Sequence, residues 1–176
     1  MAEFFKLEAV NLFLDKDAPD LSKALSMETA TLPNLEYDTA EFKAGGALIT
    51  RNFNMGVLKP LEITFKLEGF DEQAYALIAA GPSRRLITTW RGVLRSTTTG
   101  RVARAEATAR GCFGKLTPDG FKRGEAFGHD HGFIDIDQYE LVVEGKSWFK
   151  VDNETHTRIA GGTDYTADER AALGFG

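Results

Sequence analysis

From residue 61 to residue 68 the sequence alternates without a break. Leu61, Ile63, Phe65 and Leu67 are apolar, and Glu62, Thr64, Lys66 and Glu68 between them are polar. A period of two places the first set on one face of a strand and the second on the other. Burying each of the four apolar side chains is worth roughly 1.5–3 kcal/mol, so a one-residue slip in strand pairing is heavily penalised. A chain carrying this segment builds a sheet with one dry face and one wet face.

The residues before it differ in kind. Residues 32–58 hold Leu32, Pro33, Leu35, Phe42, Gly45, Gly46, Met55, Gly56 and Leu58 with no such period. They also carry Tyr37, Leu48, Ile49 and Phe53, again with no buried face of their own. Connectors of this length are uncommon unless they have a job, so the segment reads as an extended arm.

Other strands are expected at about residues 4–14, 25–29, 86–95, 101–113, 133–144 and 147–151. In the fourth of these, Ala103, Ala105, Ala107 and Ala109 oppose Arg104, Glu106, Thr108 and Arg110. An alanine stripe buries little surface but lets another layer approach closely. Ser96 to Gly100 is the expected hairpin turn between two of these strands. In residues 133–144 the phase changes, with Ile134 and Ile136 apolar at even positions and Tyr139, Leu141 and Val143 at odd ones. A bulge near Asp137 and Gln138 restores a single core face. Residues 114–132, rich in glycine, read as a loop.

One helix is expected over residues 71–80. Asp71 is the N-cap, Phe70 and Tyr75 have staple spacing, and Gly81-Pro82 ends it. Tyr75, Ile78 and Ala79 are its expected apolar face. A short second helix begins at Thr166, with Glu169 completing a capping box and Gly174 as its stop. With 176 residues, no linker and no repeat, the chain reads as a single domain, 1–176. Its class is α+β, dominated by antiparallel sheet.

Charge and composition exclude several functions. With 26 acidic against 21 basic residues the net charge is −5, which leaves no basic field to grip nucleic acid. The single cysteine, Cys112, allows neither an internal disulfide nor a cysteine zinc cluster and reads as a small hydrophobe in a strand. The start, Met1-Ala2-Glu3-Phe4-Phe5-Lys6, is acidic where a secretory signal is basic, and no run approaches the ~18–20 apolar residues of a membrane helix. The expectation is a protein with no signal peptide and no membrane binding, made in the cytoplasm.

Catalytic patterns are missing. None of the serines sits in a G-x-S-x-G elbow, and the glycines form neither a P-loop nor a dinucleotide fingerprint. His129-Asp130-His131 is the one metal-like cluster. Between Gly128 and Gly132 it reads as a polar loop. On a strand, its two imidazoles would share a side and need a distant third ligand to hold a metal. The competing function is therefore a small-molecule or metal-binding barrel, or an enzyme, built on these three residues. Trp90 and Trp148 read as core or interface residues, and Arg84, Arg85, Arg101, Arg104 and Arg110 as partners in salt bridges between subunits.

The order of short motifs resembles the major tail tube protein family of contractile-tailed bacteriophages, also found in phage-tail-like bacteriocins. Asn11-Leu12-Phe13, Thr31-Leu32-Pro33-Asn34-Leu35, Gly45-Gly46, Met55-Gly56 and the strand from Leu61 follow in family order. Arg110-Gly111, Lys115, Phe121-Lys122-Arg123-Gly124-Glu125 and the strand and hairpin from Tyr139 to Lys146 continue it. Two segments depart from the family pattern, a longer first turn at residues 15–24 and residues 127–132. The resemblance implies a β-sandwich or barrel-like subunit with a flanking helix, forming hexameric rings stacked into a tube within a contractile sheath. It implies residues 32–58 as the inter-subunit arm. Implied partners are further copies of the chain, sheath, tape-measure, baseplate and tail-terminator proteins, with transient passage of DNA and no cofactor. The implied location is a virion tail or phage-tail-like particle assembled in the host cytoplasm. One wet strand face, either Glu62, Thr64 and Lys66 or Arg104, Glu106, Thr108 and Arg110, is expected to line the lumen.

Overall fold

The alternating segment forms β5 (Ile63–Glu68), with Ile63, Phe65 and Leu67 buried and Thr64 exposed. The computed structural model describes residues 3–15, 19–46, 48–120 and 122–175. Lys16, Asp17 and Ala18 of the first turn, Ala47 of the arm, Phe121 of the glycine-rich loop and Met1-Ala2 of the N-terminus lie outside the described residues.

Ahead of β5 come β1 (Phe5–Leu14), β2 (Met27–Thr31), β3 (Tyr37–Phe42) and β4 (Arg51–Leu58). After it come α1 (Glu72–Ala80), β6 (Leu86–Ser96), β7 (Val102–Pro118), β8 (Gly128–Val143), β9 (Lys146–Asp152), β10 (Thr157–Ala160), β11 (Thr163–Asp164) and α2 (Ala167–Leu173). All pairings are antiparallel, so the class is the expected α+β.

The long strand β8 organises the sheet. Its first half pairs with β5, Phe65 opposite His131, while its second half pairs with β9, Leu141 opposite Phe149. Along its other edge runs β7 for the whole length. From there the sheet continues through β6 to β1, and from β5 to β2. The path β1-β6-β7-β8-β5-β2 curls into a barrel-like wall. Its two end strands face each other across a cleft lined by Leu7, Val10, Met27 and Ala30 rather than closing a ladder.

Inside the wall, Phe65 meets Trp90 edge-on at 5.1 Å and Phe113 at 6.0 Å, and Phe113 meets Phe133 at 5.7 Å. Leu12, Leu14, Ala107 and Ala109 fill between them. The alanine stripe thus serves as the close-packing side of β7. Trp90 directs its indole N–H to Thr88 Oγ1 at 3.2 Å, so its one polar atom is satisfied within the core. Cys112 is buried in β7, as a small hydrophobe.

Several expectations are corrected. The supposed loop over residues 114–132 is mostly strand, since β7 runs to Pro118 and β8 starts at Gly128. The bulge is where the phase changes. Arg110 pairs with Gln138 and Cys112 with Ile134, so residues 135–137 of β8 stand opposite Gly111 alone. There the backbones crowd, and a Cβ on Gly111 would lie 2.6 Å from the Ile134 carbonyl oxygen. Asp135 takes φ 53° inside this bulge. As a result Phe133 rather than Ile134 points inward, and Ile134 is exposed.

In α1 the Asp71 carboxylate accepts from the Ala74 N–H at 2.9 Å, and Phe70 stacks on Tyr75 at 4.9 Å, so cap and staple form as expected. The buried face is rotated, with Ala74 and Leu77 inward and Ala79 exposed. Thr166 caps no amide with its side chain. Its hydroxyl instead accepts from the Arg158 N–H and donates to Asp164, and Glu169 turns to His156 at 3.3 Å. What holds α2 is the Arg170–Asp164 pair, 2.5 Å apart. Arg170 keeps the Asp164 carboxyl down at about 2.

Candidate assembly interface

The arm is not a plain extended segment. Strands β3 (Tyr37–Phe42) and β4 (Arg51–Leu58) pair as a two-stranded hairpin that, among the described residues, pairs with no strand of the main sheet. Thr39 lies opposite Asn54 and Phe42 opposite Arg51. A two-stranded ribbon covered on neither face has no reason to alternate apolar and polar residues, which is why the sequence shows no period there. Its side chains are almost all exposed. Phe42 and Phe53 lie 5.9 Å apart, and Arg51 stands over the Phe53 ring at 5.2 Å, contacts too few to hide them.

The arm residues therefore divide. Pro33 is buried in the body of the protein and Leu58 is half-buried at the root of the hairpin. Leu32, Leu35, Phe42 and Met55 are exposed, along with Leu48, Ile49, Phe53 and Val57 nearby. Gly45 and Gly46 lie in the turn region beyond β3 with open space around them. Gly56 takes φ 74°, a conformation that favours glycine, in the bulge of β4. So much apolar side chain on one thin ribbon is more than scattered surface hydrophobicity, and marks a surface built to be covered.

The two wet strand faces prove to be parts of one outer surface, divided by the bulge of β8. Glu62, Thr64 and Lys66 flank its first half. Arg104, Glu106, Thr108 and Arg110 lie alongside its second half, with Thr89, Thr108, Glu140 and Lys150 in one row across β6, β7, β8 and β9. Several charges on this surface are paired within the chain. Lys66 reaches Glu28 and Asp119, both at 3.1 Å, and these hydrogen bonds raise its pKa. Arg91 meets Glu106 at 3.0 Å and Arg110 meets Glu154 at 2.7 Å. Arg84 pairs with Asp15, Arg85 with Asp135 and Asp137, and Arg101 with Glu3 and Glu144. Of the arginines expected between subunits, Arg84, Arg85, Arg101 and Arg110 are thus engaged inside one. Exposed pairs of this kind add little stability, but they leave a polar, charge-balanced skin.

His129 and His131 are not in a loop. Both lie on β8, fully or almost fully buried, and both face the core side while Asp130 is exposed. His131 stacks on Phe65 at 4.8 Å, and His129 meets Phe127 at 4.8 Å and Tyr75 at 5.2 Å. All four ring nitrogens lack a hydrogen-bond partner among the described residues. Desolvation by burial, with His129 adding to it, pushes the His131 pKa down to about 4. No group of three metal-ligating side chains is found among the described residues. The imidazoles pack here as flat rings within an aromatic cluster, which no sequence spacing announces.

Sequence reasoning also missed β10 and β11. The signal was present, because Gly161 and Gly162, at φ 61° and 92°, form the two-residue turn of a hairpin between Ala160 and Thr163.

The family model described as phage tail tube protein FII matches residues 5–174. The chain belongs to this tail tube family. It is thus a tail tube subunit, a structural component of a virion tail or tail-like particle, and the family is one of structural proteins rather than enzymes. No curated protein sequence matches it. The fold recurs in a chain of the anti-feeding prophage cap, the AFP tube terminating cap, at 15% identity and TM-score 0.56, over 81% of this chain and 94% of that one. It recurs in the PVC sheath/tube terminator of an extracellular contractile injection system in the extended state. That match has 12% identity and TM-score 0.52, over 77% of this chain and 92% of that one. A chain of the PVC sheath-tube complex in the extended state matches at 12% identity and TM-score 0.51, over 77% of this chain and 87% of that one. These likenesses place the tail tube subunit in a shared fold. No helix among its described residues is long and apolar enough to cross a membrane.

Proposed function

We propose that this tail tube subunit, folded as one domain, forms hexameric rings that stack into the inner tube of a contractile phage tail or phage-tail-like particle. The hairpin β3–β4 makes the ring-to-ring contact. The observation that carries this reading is the hairpin's row of exposed Leu48, Ile49, Phe53, Met55 and Val57, standing outside the main sheet. A heterologous contact that closes gives a ring, and a second, axial contact stacks rings into a filament. Sheath surrounds the tube, terminator and baseplate proteins close its ends, a tape-measure protein fills it during assembly, and DNA or an effector passes through it afterwards. The particle is assembled in the host cytoplasm.

Negative-stain microscopy of the purified chain at high concentration tests this, with rings and tubes as the expected result. Deleting residues 38–52 is expected to leave a folded subunit, by circular dichroism and melting, that forms no tubes. Tubes of normal length from the shortened chain would remove the hairpin from the interface.

The polar outer surface faces the lumen in this reading, because paired charges let a polyanion slide without being held. Thr108→Lys adds one positive charge per subunit to that wall. Assembly is expected to survive while DNA delivery or infectivity falls through added phosphate attraction. If Thr108→Lys and Thr64→Lys both abolish rings instead, this surface is buried between subunits and the lumen lies elsewhere.

A further inference from the structure

The hairpin that this reading assigns to assembly stands off the main sheet, yet one side chain bridges the gap. Arg158, on β10, donates from Nη1 to the carbonyl oxygen of Gly56 at 2.8 Å. Its guanidinium carbon also lies 5.6 Å from the centre of the Tyr37 ring, so it touches both strands of the hairpin at the root. The acceptor is available because of the bulge. Leu58 pairs with Tyr37 and Asn54 with Thr39, so residues 55–57 stand opposite Asp38 alone and Gly56 lies where the register is interrupted.

Arg158 itself is held firmly. It pairs with Val151 across β9–β10, its N–H donates to Thr166 Oγ1 at 2.9 Å, and its carbonyl accepts from the Tyr165 N–H at 2.9 Å. The Arg170–Asp164 pair fixes that corner in turn. Behind the hairpin root lies a cavity of about 310 Å³. Val57, Leu58 and Pro60 line it on the hairpin side, and Ile136, Val151 and His156 line the opposite wall. A ribbon with a void behind its root has room to swing, and the guanidinium is the strut across that void.

We propose that Arg158 is a positioning residue that sets the angle of the β3–β4 hairpin, holding it ready for the neighbouring subunit. This rests on the hairpin being the inter-subunit arm. The planar fork suits the task, since it donates to the ribbon while its carbon lies over the Tyr37 ring, whereas a lysine ammonium is a point donor on a flexible stem. Holding the arm in its bound direction before contact lowers the ordering cost of each docking event.

The test uses the full chain as unassembled subunits, spin-labelled at Asn52→Cys on β4 and Thr98→Cys at the β6–β7 turn. Cys112 is only 4% exposed and stays unlabelled. Pulsed distance measurement is expected to give one narrow distribution for the parent. Arg158→Ala is expected to give a distribution at least twice as wide, with the melting temperature unchanged. Tube growth is expected to slow by roughly tenfold, the factor carried by one hydrogen bond from a charged donor. Arg158→Lys should restore part of both. An unchanged distance distribution in Arg158→Ala overturns the proposal, and so does parent-rate assembly despite a widened one. If the chain lacking residues 38–52 still forms tubes, the arm reading fails by itself. The distance measurement then still decides whether Arg158 fixes the hairpin.

Discussion

Phe65→Ala is expected to destabilise the subunit by about 3–5 kcal/mol, a large share of the roughly 5–15 kcal/mol that holds a domain folded. Phe65 is 3% exposed on β5 and is the ring on which others converge. Trp90 and Phe113 meet it edge-on, and His131 stacks on it at 4.8 Å. These neighbours come from β6, β7 and β8, so removing the ring opens a void at the junction of four strands rather than at one side. The rigid wall around the site cannot collapse into it cheaply. Tryptophan fluorescence, to which the buried Trp90 contributes beside the exposed Trp148, follows denaturant unfolding of parent and variant. A loss below about 1 kcal/mol would mean that this junction repacks freely, and the account of the core given above would fail.

That such a residue is identifiable from sequence follows from where the information resides. β5 is covered on one face and wet on the other, so its burial pattern is written into eight consecutive residues. The cap and staple of α1 are equally local, and both formed. Which face of α1 turns inward was not local. Ala74, Tyr75, Leu77, Ile78 and Ala79 give two overlapping apolar arcs, and packing selected the arc of Ala74 and Leu77. The glycines of residues 114–132 misled for a related reason. They read as turn punctuation, yet several sit within strands where backbones or side chains crowd. A Cβ on Gly114 would lie 2.1 Å from Ile134 Cδ1, and one on Gly128 would lie 2.9 Å from the Leu67 carbonyl oxygen. In these places glycine marks close approach, a property of the partner strand that no single segment contains.

The same distinction separates the candidate assembly surfaces. The hairpin showed itself in sequence only as a missing pattern, because within the subunit its side chains are almost all exposed. Its two-stranded form, and the strut from Arg158 a hundred residues later, depend on contacts far apart in sequence. The polar outer surface was legible as two alternating stripes. Their union into one surface around the bulge of β8 needed the register.

Acid should weaken this subunit through His131 in a way that a variant can isolate. The ring is 2% exposed, stacked on Phe65 and edge-on to Phe113, and neither of its nitrogens finds a partner among the described residues. Desolvation depresses its pKa to about 4 from an ordinary 6.5, with His129 acting in the same direction and Asp71 and Asp130 in the opposite one. The folded state therefore holds the neutral ring, and the unfolded state takes up the proton first. His131 imposes no acid penalty above about pH 6.5; stability then falls as the pH drops toward 4, and levels off below that. A depression of this size amounts to about 3 kcal/mol over the window. Carboxylates titrate in the same acid range, so the parent's curve alone does not identify the group. His131→Phe keeps an aromatic ring on Phe65 and removes the proton site. Urea unfolding at pH 7.5, 6.0, 5.0 and 4.0, values chosen to span roughly the window from 6.5 down to 4, should show the parent losing ground to His131→Phe as the pH falls. Parallel curves for the two proteins would mean that the ring is hydrated in the native subunit and that its burial between β5 and β7 is wrong.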